Sequence, residues 1–172
     1  IYREGSHWTG KHRAWLKAQR FESWKDTMVH EELLAGLREL EERRVRLAES
    51  LERLGREDVR SVEVGVLRCF RGIDTASALT LVTEIFRVER FGRARELMSY
   101  LGMTPSVYQS ADTEIRGGIT KTGNRYARWV LGQVADRHRH KPDVGAVLKQ
   151  RRRGQPAWAV EIADRAMHRL HK

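Results

Sequence analysis

Several things are scarce in this 172-residue sequence, and each scarcity excludes a class of protein. A single cysteine, Cys69, rules out an intrachain disulfide framework and suits a reducing compartment. No apolar run approaches the roughly 18 residues that a membrane-spanning helix needs, and no signal-peptide pattern opens the chain. It begins on Ile1 rather than on a methionine, which is the expectation for a piece of something longer. Acid is scarce in one place only. Residues 1–115 hold 19 Lys/Arg and 19 Asp/Glu, whereas residues 116–172 hold 14 Lys/Arg against 4 Asp/Glu, which is the whole chain's net charge of +10. Charge segregated in this way favours a polyanionic partner, nucleic acid first, over a basic face that is merely solvated.

What is present divides into three parts, a lead-in over 1–25, an arm over 26–58 and a helical domain over 59–172. The lead-in is rich in tryptophan and basic residues, with Trp8, Trp15 and Phe21 as candidate packing anchors and Thr9 as the N-cap of a helix beginning near Lys11. In the arm, Leu33, Leu40, Leu47 and Leu54 recur every seven residues and Leu37 and Leu51 fill the alternate positions, with Arg44 the one break. That period favours a coiled coil pairing two chains over a long helix packed on its own domain, and Gly55 is a natural stop.

The third part reads as short amphipathic helices, so the fold class is all-α, with extended structure confined to the neighbourhood of 108–120. "SVEVGVLRCFRGIDTASALTLVTEI" gives two helices separated at Gly72, the second capped by Asp74 or Thr75 and burying Ala78, Leu81, Val82 and Ile85. A helix follows that stops at Gly102 and Pro105, then another over "TGNRYARWVLGQVADRH", and a last one from about Pro156 to His171. Two short helices around a tight glycine turn are how a helix-hairpin-helix presents backbone N–H groups to a phosphate. An ordinary αα-hairpin fits the Gly72 turn equally well, and Asp74 weighs against a phosphate there.

"QSADTEIRGGITKTGNRYARWVL" holds the most distinctive chemistry. Gly117 and Gly118 predict a tight turn or a close approach of backbone to ligand. Thr120 or Thr122 can cap the next helix, whose start carries Lys121, Arg125 and Arg128, with Arg116 just upstream. Dipole, N–H donors and guanidinium forks together suit an oxygen-rich anion. Ser110 has no Asp/His partner at a useful spacing, so a hydrolase triad is unsupported, and from the residues alone a turn or capping serine is favoured. "DRHRH", with Asp136, His138 and His140, reads as solvated or phosphate-facing rather than as a metal site. "RRRG" at 151–154 fits phosphate contact or plain solvation.

"LRCFRGIDTASALTLVTEI", "RF" at 90–91, "LMSYLGMTPS" at 97–106, "YQSA" at 108–111 and "GGITKTGNRYAR" at 117–128, taken in order, resemble a known family. They are similar to the C-terminal domain of the DEDD/serine transposases of bacterial insertion sequences, the Piv-like, bridge-RNA-guided recombinases of the one-ten type. "WTGKHRAWL" and the leucine arm resemble the segments preceding that domain, so the likeness covers nearly the whole chain. It implies that Ser110 is a nucleophile forming a phosphoserine linkage with DNA, with the glycine-rich "GGITKTGN" shaping the pocket. Gly72, Arg116, Gly117, Gly118, Lys121, Arg125 and Arg128 are the residues expected to hold DNA. Lys121 and Arg125 are the first candidates for the scissile phosphate or its neighbours.

The resemblance further implies a structured guide RNA as partner and a homodimer through residues 33–54, with higher assembly on DNA. It places the protein in the bacterial cytoplasm, at the nucleoid. Divalent metal, Mg²⁺, is expected only in a RuvC-like N-terminal domain carrying four acidic residues, which these 172 residues do not include. Two positions depart from the family: its glycine after the serine is Ala111 here, and its Gly-Asp after "EI" is Phe86-Arg87. A non-catalytic helix-hairpin-helix module, dimerised by the arm, or a decayed copy is the alternative.

Overall fold

The computed structural model describes residues 2–110 and 113–171, and the side chains outside 108–116. Eight α-helices, one 3₁₀ turn and one two-stranded hairpin are present among the described residues. They divide into two compact units, Ile1–Leu47 and Ala48–Lys172. The division falls inside the arm, so that its last residues, from Ala48, pack with the helical domain. No helix among the described residues is long and apolar enough to cross a membrane.

Unit 1 contains α1 (Gly10–Ala18) and most of α2 (Trp24–Glu57). Thr9 caps α1 as its position predicts, its side chain accepting from the His12 amide. The anchors differ from expectation. Trp8 and Phe21 are largely exposed, whereas Tyr2 and His12 are buried, with the rings of His7, Trp8 and Trp15 around His12. The His12 ring also accepts the Trp8 amide, which lets a polar residue sit inside this cluster. On α2, Leu33 (70 % exposed), Leu40 and Leu47 lie open to solvent. Leu37 is half-buried and, with Leu34 and Glu41, faces Leu16, Lys17 and Arg13 of α1 across a shallow groove. One of the alternate seam leucines is therefore claimed within the chain.

In unit 2, α2 does not stop at Gly55. It runs on to Glu57, and Gly55 is buried because a Cβ there would stand 2.8 Å from the Thr75 methyl and 3.4 Å from Val64. Glu52, one turn earlier, accepts from the Thr75 hydroxyl and pairs with Arg68 at 3.2 Å. The glycine is thus spent on close packing rather than on termination.

The core of unit 2 joins α3 (Ser61–Leu67), α4 (Thr75–Ile85) and α6 (Arg125–Arg137). Val64, Ile73, Ala78, Leu81, Ile85, Ala127, Val130 and Val134 form one buried cluster. Leu101 joins it from the end of α5 (Ala94–Tyr100), and a fully buried leucine of this kind stabilises by about 2 kcal/mol. Cys69 with Ala159 and Ala163 of α8 (Ala157–Leu170) forms a second, smaller cluster. A seven-residue helix, α7 (Ala146–Arg152), precedes α8.

After α5 the chain forms β1 (Pro105–Ser110) and β2 (Thr113–Ile119), an antiparallel pair with a bulge between Pro105 and Val107. Gly117 and Gly118 are therefore strand residues, not a tight turn. Gly117 leaves room for Ser106, whose Oγ would stand 2.5 Å from a Cβ there, while Gly118 faces open space. The mainly helical class stands, with this hairpin as the one extended element among the described residues.

Candidate functional site

The hairpin rises from a base where three backbone segments converge. Gly102 takes φ +66° just past α5, the Gly102 amide donates to Ser99, and the Met103 amide to Met98. That is a Schellman cap, and glycine adopts its left-handed backbone without a steric cost. Carbonyls at and just beyond the α5 end are met from the far side of the hairpin. Asn124 N–H donates to Tyr100, Lys121 N–H to Gly102, and Thr120 N–H to Thr104. Arg128 Nη1 donates to the Leu101 carbonyl at 2.7 Å and to Gly123 at 3.2 Å. The end of α5 and the start of α6 are thereby tied around the two legs of the hairpin.

This closeness requires glycine on both sides. A Cβ at Gly102 would stand 2.6 Å from the Gly123 nitrogen, and one at Gly123 would overlap the Tyr100 carbonyl oxygen. Asn124 then caps α6, its carbonyl oxygen accepting from the Ala127 amide, while its amide donates to Glu84 at 2.6 Å. The cap is neither Thr120 nor Thr122; those two hydroxyls bond to each other at 3.3 Å. An asparagine directly ahead of an amphipathic run was the available signal.

The expected site residues fall into two groups. Lys121, itself at φ 56°, and Arg125 are exposed at the α6 start. Arg128 is half-buried and its Nη1 donates to the Leu101 and Gly123 carbonyls, so part of its guanidinium is committed to the base. Ser110 ends β1, its backbone paired with Thr113, and Arg116 pairs with Val107 in β2. The side chains of Ser110 and Arg116, and the whole of Ala111, lie outside the described residues. At about 3.3 Å per strand residue, Ser110 stands roughly 16 Å along β1 from Pro105. The hairpin thus separates the serine, at its tip, from Lys121 and Arg125 at its base.

Gly72 is in the left-handed region (φ +86°), but what it approaches is α6: a Cβ there would meet Arg137 at 3.1 Å and the Val134 Cα at 3.4 Å. Asp74 fills the α4 cap, accepting from the Ser77 amide at 2.8 Å. Two amides at this turn are in use within the protein, Ile73 N–H on the Phe70 carbonyl and Ser77 N–H on Asp74.

Several cations of the basic last third also have structural duties. Arg152, whose side chain is largely buried, donates to the Cys69 carbonyl and pairs with Asp164 at 2.8 Å. Arg151 donates to the Ile73 carbonyl, leaving Arg153 as the exposed member of the triplet. Arg152 is thus committed within the protein, and Arg151 in part. Likewise His138 is buried, its ring on the Val134 carbonyl at 2.9 Å, while His140 is exposed. Burial raises the Cys69 thiol pKa above its ordinary value, with the nearby Arg152 charge opposing.

The sequence of this region is similar to that of known proteins. Residues 65–148, from α3 through the hairpin and α6 into α7, match the model of the transposase IS116/IS110/IS902 family. The chain is 32 % identical over 170 residues to y4qE of Sinorhizobium fredii (strain NBRC 101917 / NGR234), a predicted transposase. It is 27 % identical over 168 residues to the transposase for insertion sequence element IS1533 of Leptospira borgpetersenii. The alignments cover 99 % and 96 % of this chain but 40 % and 48 % of those proteins. Residues 65–148 therefore form a domain of the transposase IS116/IS110/IS902 family.

Proposed function

We propose that this chain is the part of a DNA transposase that carries the leucine arm and the nucleophilic serine, acting in the bacterial cytoplasm. The observation that carries this reading is the family match over 65–148, because that span contains the hairpin, its base and the start of α6. Ser110 is the nucleophile. Its Oγ bonds to a DNA phosphorus as the bond from phosphorus to one strand oxygen breaks. The serine proton passes to a base outside this chain or to water, and the departing oxygen takes up a proton. Attack on the resulting phosphoester by the hydroxyl of another strand end frees the serine and joins the strands, so no outside oxidant or energy source is needed.

The hairpin carries Ser110 forward to the DNA, while Lys121 and Arg125, at its base, grip phosphates a few nucleotides from the attacked one. Residues 33–54 pair with a second copy through Leu33, Leu40, Leu47 and Leu54, which lie exposed at seven-residue intervals. Base pairing with a structured RNA supplies sequence choice in the full-length protein. The divalent metal is supplied by the acidic RuvC-like domain that the resemblance implies. Ala111, in place of the family's glycine, favours a second reading in which the chain binds DNA without cleaving it.

Duplex binding as a function of salt tests the grip. Replacing Lys121 and Arg125 together by alanine lowers the slope of log affinity against log salt by about 2, near one counterion per phosphate lost. An unchanged slope contradicts the assignment.

A further inference from the structure

The outward face of α6 has no role in the account above. Ala127, Val130 and Val134 bury its inner face, yet Tyr126 and Trp129 are 66 % and 63 % exposed. They stand three residues apart and so are neighbours on the helix surface. One turn further on, Gly132 faces open space and Gln133 is exposed. Arg125, one turn before Trp129, and Lys121 are the exposed cations at the head of this stripe. Asp136, at its far end, is neutralised by Arg139 at 2.7 Å. Arg128 and Asn124 fix the helix start, so the two rings are carried on a rigid element.

We infer that Tyr126 and Trp129 form a stacking platform for the bases of an unpaired DNA strand. This rests on the DNA-transposase reading and deepens it. Two exposed rings on one helix face offer π-surfaces to successive bases whatever their identity. The flat step at Gly132 leaves the second ring uncovered, Gln133 presents an amide to a base edge, and the cations at the helix start meet the phosphates. A duplex hides its base faces, so only unpaired DNA can use the rings. Strand exchange passes through such an unpaired strand. Charge decides against an apolar protein partner: the face is headed by free cations and its one acid is paired.

Fluorescence anisotropy of a labelled short oligothymidylate, with duplex DNA of matched length and an oligouridylate in parallel, tests this on the 172-residue chain. Trp129→Ala and Tyr126→Ala should each weaken oligothymidylate binding about ten-fold, while Trp129→Phe, which keeps a ring, stays within about two-fold. Duplex binding should respond to Lys121→Ala and Arg125→Ala, and not to loss of the rings. The inference is overturned if Trp129→Ala leaves oligothymidylate binding unchanged, if it weakens duplex equally, or if only oligouridylate responds. A change in sedimenting mass with intact oligonucleotide binding also overturns it, by making the face a protein interface. Duplex binding that persists while the oligothymidylate ignores the rings sinks the platform alone; loss of all DNA binding by the unsubstituted chain sinks the transposase reading with it.

Discussion

Gly102 and Gly123 meet backbone to backbone, a residue from each leg of the hairpin's base, and neither position has room for a Cβ. That contact sets where the hairpin springs from and where α6 begins. Gly123→Ala should therefore cost about 3 kcal/mol or more, at the upper end for a single substitution, because backbone rather than a flexible side chain stands in the way. Gly118→Ala, facing open space, should cost under about 1 kcal/mol. Thermal unfolding of the two variants checks the contrast, and equal losses would contradict it.

Phe86 occupies a position where glycine would be at ease. With φ 63° and ψ −67°, and the Arg87 amide donating to the Ile85 carbonyl at 2.8 Å, it centres a rare, strained γ-turn. Arg60 holds it, stacking 4.2 Å above the ring and donating to the Val82 and Phe86 carbonyls. Phe86→Gly should leave stability unchanged or raise it by up to about 1 kcal/mol, whereas Phe86→Ile should lose about 1–2 kcal/mol. Denaturant melts separate the outcomes, and a glycine variant less stable than the isoleucine variant refutes the strain.

The arginines at 151–153 should not behave alike. Arg152→Ala leaves the Cys69 carbonyl without its donor and Asp164 without its partner, at about 2 kcal/mol. Arg153→Ala should stay within about 0.5 kcal/mol. Stability measured at one ionic strength for both variants tests this.

Cys69 is fully buried and its thiol is held above its ordinary pKa, so little thiolate is exposed at neutral pH. Iodoacetamide should modify it only when the domain unfolds, in step with loss of helical circular dichroism. Rapid labelling of the native protein would be inconsistent with the packing of α8 on Cys69.

The pairing of α1 with α2 should weaken in acid. The Arg13 guanidinium hydrogen-bonds Glu41 and holds its carboxyl below the usual carboxylate range. A depressed folded-state pKa stabilises above the unfolded value, about 4.3, and that contribution fades as pH falls through the folded one. Arg13 is exposed and Glu41 partly so, so the effect is small and weakened by salt. Amide exchange in α1 followed from pH 6 to pH 3 reads it, and Glu41→Gln should abolish the dependence.

Local chemistry made much of this legible in the sequence. Thr9 and Asp74 are N-caps, Gly102 ends α5, and the leucine period foretells a long helix; each depends on residues within a turn or two. What was not legible depends on partners far away in the chain. Gly55 looks like a stop until Thr75 and Val64 are beside it, and Gly117 looks like a turn until Ser106 lies opposite. Arg128, Arg151 and Arg152 look like wholly free phosphate ligands until the Leu101, Ile73 and Cys69 carbonyls each take an N–H from one of them. Charge count alone therefore overstated the free cationic surface, and the separation of Ser110 from Lys121 and Arg125 appeared only with the hairpin. α7 is too short for its period to stand out among the arginines around it.

Covalent trapping tests the central claim most directly. The 172-residue chain joined to an upstream acidic half is mixed with guide RNA, Mg²⁺ and nicked substrate DNA, then denatured. The account predicts a protein–DNA adduct that survives denaturation with Ser110 intact and disappears in Ser110→Ala, while both proteins still bind DNA. An adduct that persists in Ser110→Ala, or DNA cleavage with no adduct in either protein, would contradict it.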